Sequence, residues 1–202
     1  MAARKKPAAP KSTPSLRGVA LVDAVIARIT QGKGGIEVAQ LRPMRAEDIA
    51  SLRFANGAPL PPSLQRFLAF DTTWLRARFP GWNLPALEVA TVARLVDRTL
   101  GAFATAFQPL PPGMTRGLAL GLDAGSDSMR LLFLGATDEH GEYPVLGVDV
   151  DDEPNVVVAA PGFDVWLAQQ AGLVRGLAGY AEDVRAQQKR NLGGRARLEA
   201  LG

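Results

Sequence analysis

The residues of this chain that could carry chemistry are mostly acidic, and they are concentrated between residues 131 and 174. That segment holds eight Asp or Glu residues and no Lys or Arg, which leaves the rest of the chain with a formal charge of +11. A basic partner would relieve the repulsion among these acids and speed the encounter. Because a hairpin brings neighbouring strands within about 5 Å of each other, acids that flank such strands can share one surface. We therefore predict a partner-binding surface that includes Asp138, Glu139, Glu142, Asp149, Asp151, Asp152 and Glu153. A solvated sheet face is the alternative interpretation.

The same acids do not form a convincing metal or catalytic motif. The run from Asp149 to Pro154 has the carboxylates of a calcium loop but lacks the glycine that gives such a loop its sharp turn. His140 is the only histidine of the chain, and no Gly-x-Ser-x-Gly elbow accompanies it. Gly32-Lys33-Gly34-Gly35 lacks the frame of a phosphate-binding loop and is better explained as a helix stop. The sequence therefore predicts no enzyme, no cofactor and no metal.

Three tryptophans are candidates for contacts with a partner or for the core. Trp166 lies on an apolar helical stripe, so we predict that it is buried. Trp74 and Trp82 lie in an irregular region, and we place them among the candidate partner-binding residues. Stacking on nucleic-acid bases is an alternative role for such side chains.

Composition restricts the class of protein further. The chain has 202 residues, 47% of them hydrophobic and none of them cysteine, which indicates one soluble domain without disulfides. No apolar run reaches the roughly 18–20 residues needed to cross a bilayer. Residues 1–15 are basic and are followed by no apolar stretch of a signal peptide, so we predict a disordered arm and a cytoplasmic protein. Basic residues near both termini leave nucleic-acid binding open as an alternative.

Periodicity predicts helices first, then strands, then helices. Apolar spacing predicts helices over residues 18–30, 46–54, from about 62, 83–107, 163–174 and about 180–192. Alternating apolar residues predict strands over 118–122, 130–134, 143–150 and 156–159. This order is typical of an α+β domain in which an antiparallel meander carries helices on one face. We expect one domain over 16–178 with a helical insertion at about 80–112, followed by a C-terminal helix and basic tail over 179–202.

Two stretches of the chain carry a family resemblance. The first runs from Ile49 through Asn56-Gly57-Ala58-Pro59-Leu60-Pro61 to Phe67-Leu68. The second comprises Tyr143 to Asp152, Val156 to Ala160 and the Phe163-x-x-Trp166-Leu167 helix. The first resembles the entry helices and the second the closing strands and helix of the SUKH superfamily, which includes fungal cell-wall-synthesis regulators and bacterial toxin-immunity proteins. Residues 71–74 and the segment 80–112 depart from the family pattern, and the first 40 residues have no match.

The resemblance implies a non-enzymatic domain that binds other proteins. In bacteria it implies an immunity protein that occludes a toxin, often a nuclease, through its acidic strand and turn region. A regulatory or scaffold domain that binds an endogenous partner is the alternative within the same fold.

Overall fold

Apolar residues at helical spacing build the first part of the fold. The computed structural model describes residues 16–33, 41–54, 57–73, 118–124, 128–149 and 155–193. Helix α1 spans Gly18–Arg28 and is continued by a π-helical turn, Ile29–Lys33. Helix α2 spans Ala46–Ser51, and helix α3 spans Pro62–Leu68 with proline in its first turn, where the missing N–H costs nothing. These bounds confirm the three predicted entry helices, although α2 ends earlier than predicted. The predicted helix over 83–107 and the insertion at 80–112 lie outside the described residues.

An antiparallel meander follows in the order β1-β2-β3-β4. Its strands are β1 Leu118–Ala124, β2 Ser128–Leu134, β3 Val145–Asp149 and β4 Asn155–Ala160. Helix α4, Phe163–Gln170, comes next, and a short 3₁₀ turn, Ala178–Tyr180, leads into helix α5, Ala181–Leu192. Gly193 ends α5 in the left-handed conformation, with a φ of 65°. The protein therefore has an α+β fold, as predicted.

The main core lies between α1, α3, α4 and one face of the sheet. Trp166 is 2% exposed and its ring centroid lies 5.5 Å from that of Phe163. Phe163 and Leu167 are fully buried in the same cluster, which confirms the predicted burial of this helix. From the sheet, the cluster receives Leu132, Leu134 and Val145.

The second face of the sheet is buried as well. Side chains alternate between the faces of a strand, and the residues between those of the main cluster are 0–6% exposed: Leu131, Phe133, Leu146, Val148, Val156 and Val158. Helix α5 packs against β4, and its Val184 and Leu192 are also buried outside the main cluster. The prediction of helices on one face of the sheet is therefore corrected, because α5 packs outside the main cluster, against β4. Helix α5 therefore packs on the same sheet as helix α4.

Candidate functional site

The register of the meander separates the predicted acidic residues into two groups. Ser128 pairs with Asp149, and Asp149 pairs with Asn155, so the β1–β2 and β3–β4 connections lie at one end of the sheet, here called the hairpin end. The β2–β3 connection, residues 135–144, lies at the opposite end, here called the loop end. Strand β3 rises about 13 Å between the two ends at about 3.3 Å per residue.

The described acids of the predicted partner-binding surface therefore lie at two ends of the sheet. Asp138, Glu139 and Glu142 belong to the loop end, and Asp149 belongs to the hairpin end. The other acids of the β3–β4 connection, Asp151, Asp152 and Glu153, lie outside the described residues, as do Trp74 and Trp82. Hairpin proximity had suggested a shared surface, but antiparallel strands place successive connections at alternate ends.

Arg17 is the centre of the loop end. Its guanidinium donates hydrogen bonds to three aspartates, at 2.5 Å to Asp138, 2.9 Å to Asp164 and 2.6 Å to Asp183. The side chain of Arg17 is only 6% exposed. One cation thus ties together the β2–β3 loop and the first turns of α4 and α5. Burial by itself would lower the pKa of Arg17, but the carboxylates, chiefly Asp164, raise it above its ordinary value.

The first turns of helices position two of the three aspartates around Arg17. Asp164 and Asp183 each lie in the first helical turn, where a carboxylate interacts favourably with the helix dipole. Gly18, the first residue of α1, donates its backbone N–H to Asp164 at 2.6 Å and has a φ of 58°. That left-handed conformation is readily adopted by glycine and disfavoured for most other residues. The Oδ1 atom of Asp164 is buried and accepts no hydrogen bond from the described residues.

Glu142 is fully buried beside this cluster. Its Oε1 accepts the backbone N–H of Ser63 at 3.0 Å, and its Oε2 lies 2.5 Å from the Ser63 hydroxyl. The pKa of Glu142 is raised to about 8, first because the carboxyl is buried and then because it lies near the charge of Asp164. The bonds from Ser63 act in the opposite direction. Glu142 therefore exposes no surface to a partner in this arrangement.

Helix α5 holds the loop end from the other side. Gln187 donates to the backbone carbonyls of Glu142 and Pro161, at 3.1 and 2.9 Å. Asn191 exchanges hydrogen bonds with the backbone of Ala136, accepting at 2.8 Å and donating at 3.1 Å. These buried amides thus give hydrogen-bond partners to the backbone of Ala136, Glu142 and Pro161.

The acids of the loop end differ in exposure. The side chain of Glu139 is 84% exposed and makes only a long contact, 3.7 Å, with His140. The side chain of Asp138 is 10% exposed and accepts bonds from Arg17 and from the backbone N–H groups of His140 and Glu142. Of the three acids predicted here, only Glu139 is freely available at the surface.

Sequence reasoning missed Arg17, Ser63, Asp164 and Asp183. One signal could have indicated Asp164, because it is the single charged residue in the otherwise apolar or neutral segment from Val156 to Val174. Nothing local marks Arg17, whose partners lie 121 to 166 residues away.

Neither a metal-binding cluster nor a membrane-spanning helix is found among the described residues. No three His, Cys, Asp or Glu side chains among them are arranged to hold a metal ion. None of the described helices combines the length and the hydropathy needed to span a bilayer.

Comparison with known proteins supports the fold alone. No family model matches the chain, and no curated protein matches it. A crystal structure of an uncharacterized protein from Salmonella enterica subsp. enterica serovar typhimurium str. 14028s is similar, with a TM-score of 0.51 and 16% identity. The similarity covers 88% of this chain and 90% of that chain. A chain of this α+β architecture thus exists in a solved structure.

Proposed function

We propose that this chain is a non-enzymatic protein-binding module of SUKH type, and that it acts as an immunity protein that occludes a basic toxin. The observation that carries the proposal is the set of acids in residues 131–174 that are not among those buried at the loop end. Asp138, Glu142 and Asp164 are turned inward at the loop end. Five acids remain in a segment without Lys or Arg: Glu139, Asp149, Asp151, Asp152 and Glu153.

The hairpin end is the favoured docking end. Four of those five acids flank or lie within the β3–β4 connection, which joins the paired residues Asp149 and Asn155. The connection joins two strands that are paired in register and buried on both faces of the sheet. Attachment to such a rigid sheet lowers the entropy cost of binding. Charge of one sign at one end would steer a basic surface towards it.

Occlusion requires no chemistry from this chain. The acids would meet the basic groups with which a nuclease holds its anionic substrate, and the bound domain would exclude that substrate. Rim charges of this kind mostly set the association rate, whereas buried apolar contacts set the lifetime of the complex. Cytoplasmic location belongs to the same proposal.

The test begins with identification of the partner by capture from the native host and mass spectrometry. The product of the adjacent gene is the first candidate. The variant Asp151→Asn/Asp152→Asn/Glu153→Gln should then associate at least tenfold more slowly at low salt and lose most of its salt dependence. Glu139→Gln, a neutralised acid at the loop end, is the matched control and should bind at nearly the wild-type rate. Wild-type kinetics for the triple variant would refute docking at the hairpin end.

Binding of an endogenous regulatory partner is a second candidate within the same fold. The adjacent gene separates the two candidates, because a large secreted protein with a C-terminal toxin domain favours immunity. An endogenous regulator captured instead would favour the second.

A nucleic-acid-associated role is a further candidate, and one surface favours it. Helix α5 exposes Arg185, Lys189 and Arg190, a basic stripe of the kind that contacts phosphates. Retention on DNA that falls with salt and disappears in Arg185→Gln/Lys189→Gln/Arg190→Gln would support this role. Absence of retention at low salt would exclude it.

A further inference from the structure

The connection between Glu142 and Ser63 joins two parts of the fold that are distant in sequence. Ser63 lies in the first turn of α3, and Glu142 lies 79 residues later in the β2–β3 loop. Both side chains are fully buried. Because Pro62 has no N–H, the Ser63 amide is the first donor of this helix, and Glu142 accepts it.

Glu142 has no cation of its own among the described residues. The nearby charged groups are Asp164 of α4 and Asp138 of the same loop, and both are acidic. The guanidinium of Arg17 lies before α1 and is shared among Asp138, Asp164 and Asp183. Helix α5 contributes the neutral amide of Gln187, which binds the backbone carbonyl of Glu142 and not its carboxyl. His140 and Glu139 complete the loop on its solvent side.

The bond to Ser63 can form in either protonation state of Glu142. A protonated Oε2 donates to the hydroxyl of Ser63, and an ionised Oε2 accepts from it. What changes is the charge, since ionisation would place a second negative group beside Asp164 in the interior. A buried and unpaired charge is costly, and the unsatisfied Oδ1 of Asp164 shows that this region already lacks donors.

We propose that Glu142 and Ser63 form a pH-sensitive latch, which holds the β2–β3 loop on the start of α3 while Glu142 is protonated and loosens when Glu142 ionises in mildly alkaline solution. The burial of Glu142 and its acidic neighbours support this proposal independently of the binding function. The raised pKa of Glu142, about 8, agrees with it.

The direction of the pH effect follows from proton linkage. In the unfolded chain Glu142 has its ordinary pKa of 4.5, but in the folded chain the burial and the acidic neighbours raise its pKa to about 8. Between these values the folded state binds one more proton, so stability falls as pH rises. This single group should raise the unfolding equilibrium constant by about tenfold per pH unit in that window. Above the folded pKa the effect levels off.

The experiment compares denaturant unfolding of the full chain between pH 5.5 and 8.5 for wild type and Glu142→Gln. Glutamine keeps the size, one acceptor and one donor for Ser63, but it cannot ionise. We expect the unfolding equilibrium constant of the variant to rise about tenfold less per pH unit than that of wild type. Glu139→Gln, an exposed neutralisation in the same loop, should keep the wild-type dependence. An unchanged slope in Glu142→Gln would overturn the proposal.

A second measurement needs no variant. Carbon NMR of the wild-type carboxyls should show one Glu resonance that titrates near pH 8, and hydrogen exchange corrected for intrinsic rate should show the Ser63 amide losing protection over the same range. The Ala136 amide, which Asn191 accepts, is the internal control and should stay protected. If every Glu carboxyl titrates below pH 6, or if Ser63 and Ala136 lose protection together, the latch is refuted.

Discussion

Both ends of the four-stranded sheet are rich in acidic residues, but only at the loop end does the structure show acids that are buried and bonded to donors. At the loop end, Asp138, Glu142 and Asp164 are drawn inward by Arg17, Ser63 and helix starts. At the hairpin end, the acids follow paired strands in a stretch without any basic residue. The contrast teaches that clustering of acids in sequence does not assign them to a surface. Strand register decides the end of the sheet to which each acid belongs, and distant donors decide whether it faces inward.

Loss of the cation at the loop end should give the largest effect. We expect Arg17→Leu to reduce the free energy of unfolding by about 3–5 kcal/mol, because it leaves buried aspartates without their shared partner. Denaturant unfolding at pH 7 measures this. Arg45→Leu, which removes an arginine that is 71% exposed in its own ion pairs, should leave the midpoint unchanged. Equal effects in the two variants would contradict the structural role of Arg17.

The three aspartates around Arg17 should differ in proportion to their burial. Asp164→Ala should cost about 1–3 kcal/mol, since Arg17 and the Gly18 amide both lose a buried acceptor. Asp183 is 36% exposed, so solvent screens its interaction and Asp183→Ala should cost under about 1 kcal/mol. Thermal unfolding of the two variants measures the difference. A larger loss of stability in Asp183→Ala than in Asp164→Ala would show that the network is not organised around Asp164.

The backbone at Gly18 should contribute a smaller amount. A Cβ there would meet nothing nearer than 3.8 Å, so space is available, but the φ of 58° is disfavoured for alanine. We expect Gly18→Ala to lower stability by about 1–2 kcal/mol and Gly18→Asn to lower it less, because Asn tolerates this conformation better. Indistinguishable melting temperatures for the two variants would argue against backbone strain as the cause.

Neutralisation at the hairpin end should leave stability unchanged. The variant Asp151→Asn/Asp152→Asn/Glu153→Gln removes three like charges that are consecutive in sequence, and we expect such a run to be solvated and to contribute little to folding. Its unfolding midpoint should match that of wild type while its association slows. A large stability change would remove the contrast between the two ends.

Deletion of residues 2–15 should have no measurable effect on stability. The arm has no apolar periodicity, and Leu16, whose carbonyl accepts the Tyr180 hydroxyl at 3.3 Å, is retained. Scanning calorimetry should give the same melting temperature for both chains. A clear decrease would show that the basic arm packs against the domain.

Local patterns predicted most of the described fold. Alternation and turns located the four strands to within two residues, and helical spacing located Trp166 in the core. The second buried face was missed although β2 is apolar on both sides, with Leu131 to Leu134 in succession. A continuous apolar run indicates a strand buried on both faces, and here that signal was available in the sequence.

The candidate site was less predictable, for a physical reason. Ion pairs between residues more than a hundred positions apart have no local spacing, so Arg17 resembled any arginine near a terminus. Glu142 resembled a surface acid because the residue that binds its carboxyl, Ser63, lies in a helix 79 residues earlier. Long-range polar contacts of this kind are visible only once the fold is known.

The position of Arg17 and Gly18 also has a consequence for synthesis of the protein. Helix α1 is synthesised before its partner, because Asp164, which accepts the Gly18 N–H, follows 146 residues later in the chain. At about 5–20 residues per second, the nascent helix waits about 7–30 s for that partner. During this time α1 cannot form its contacts with α4. Chains that stop before α4 therefore leave the α4-facing side of α1 uncovered, and such an apolar surface is a natural target for chaperones and proteases.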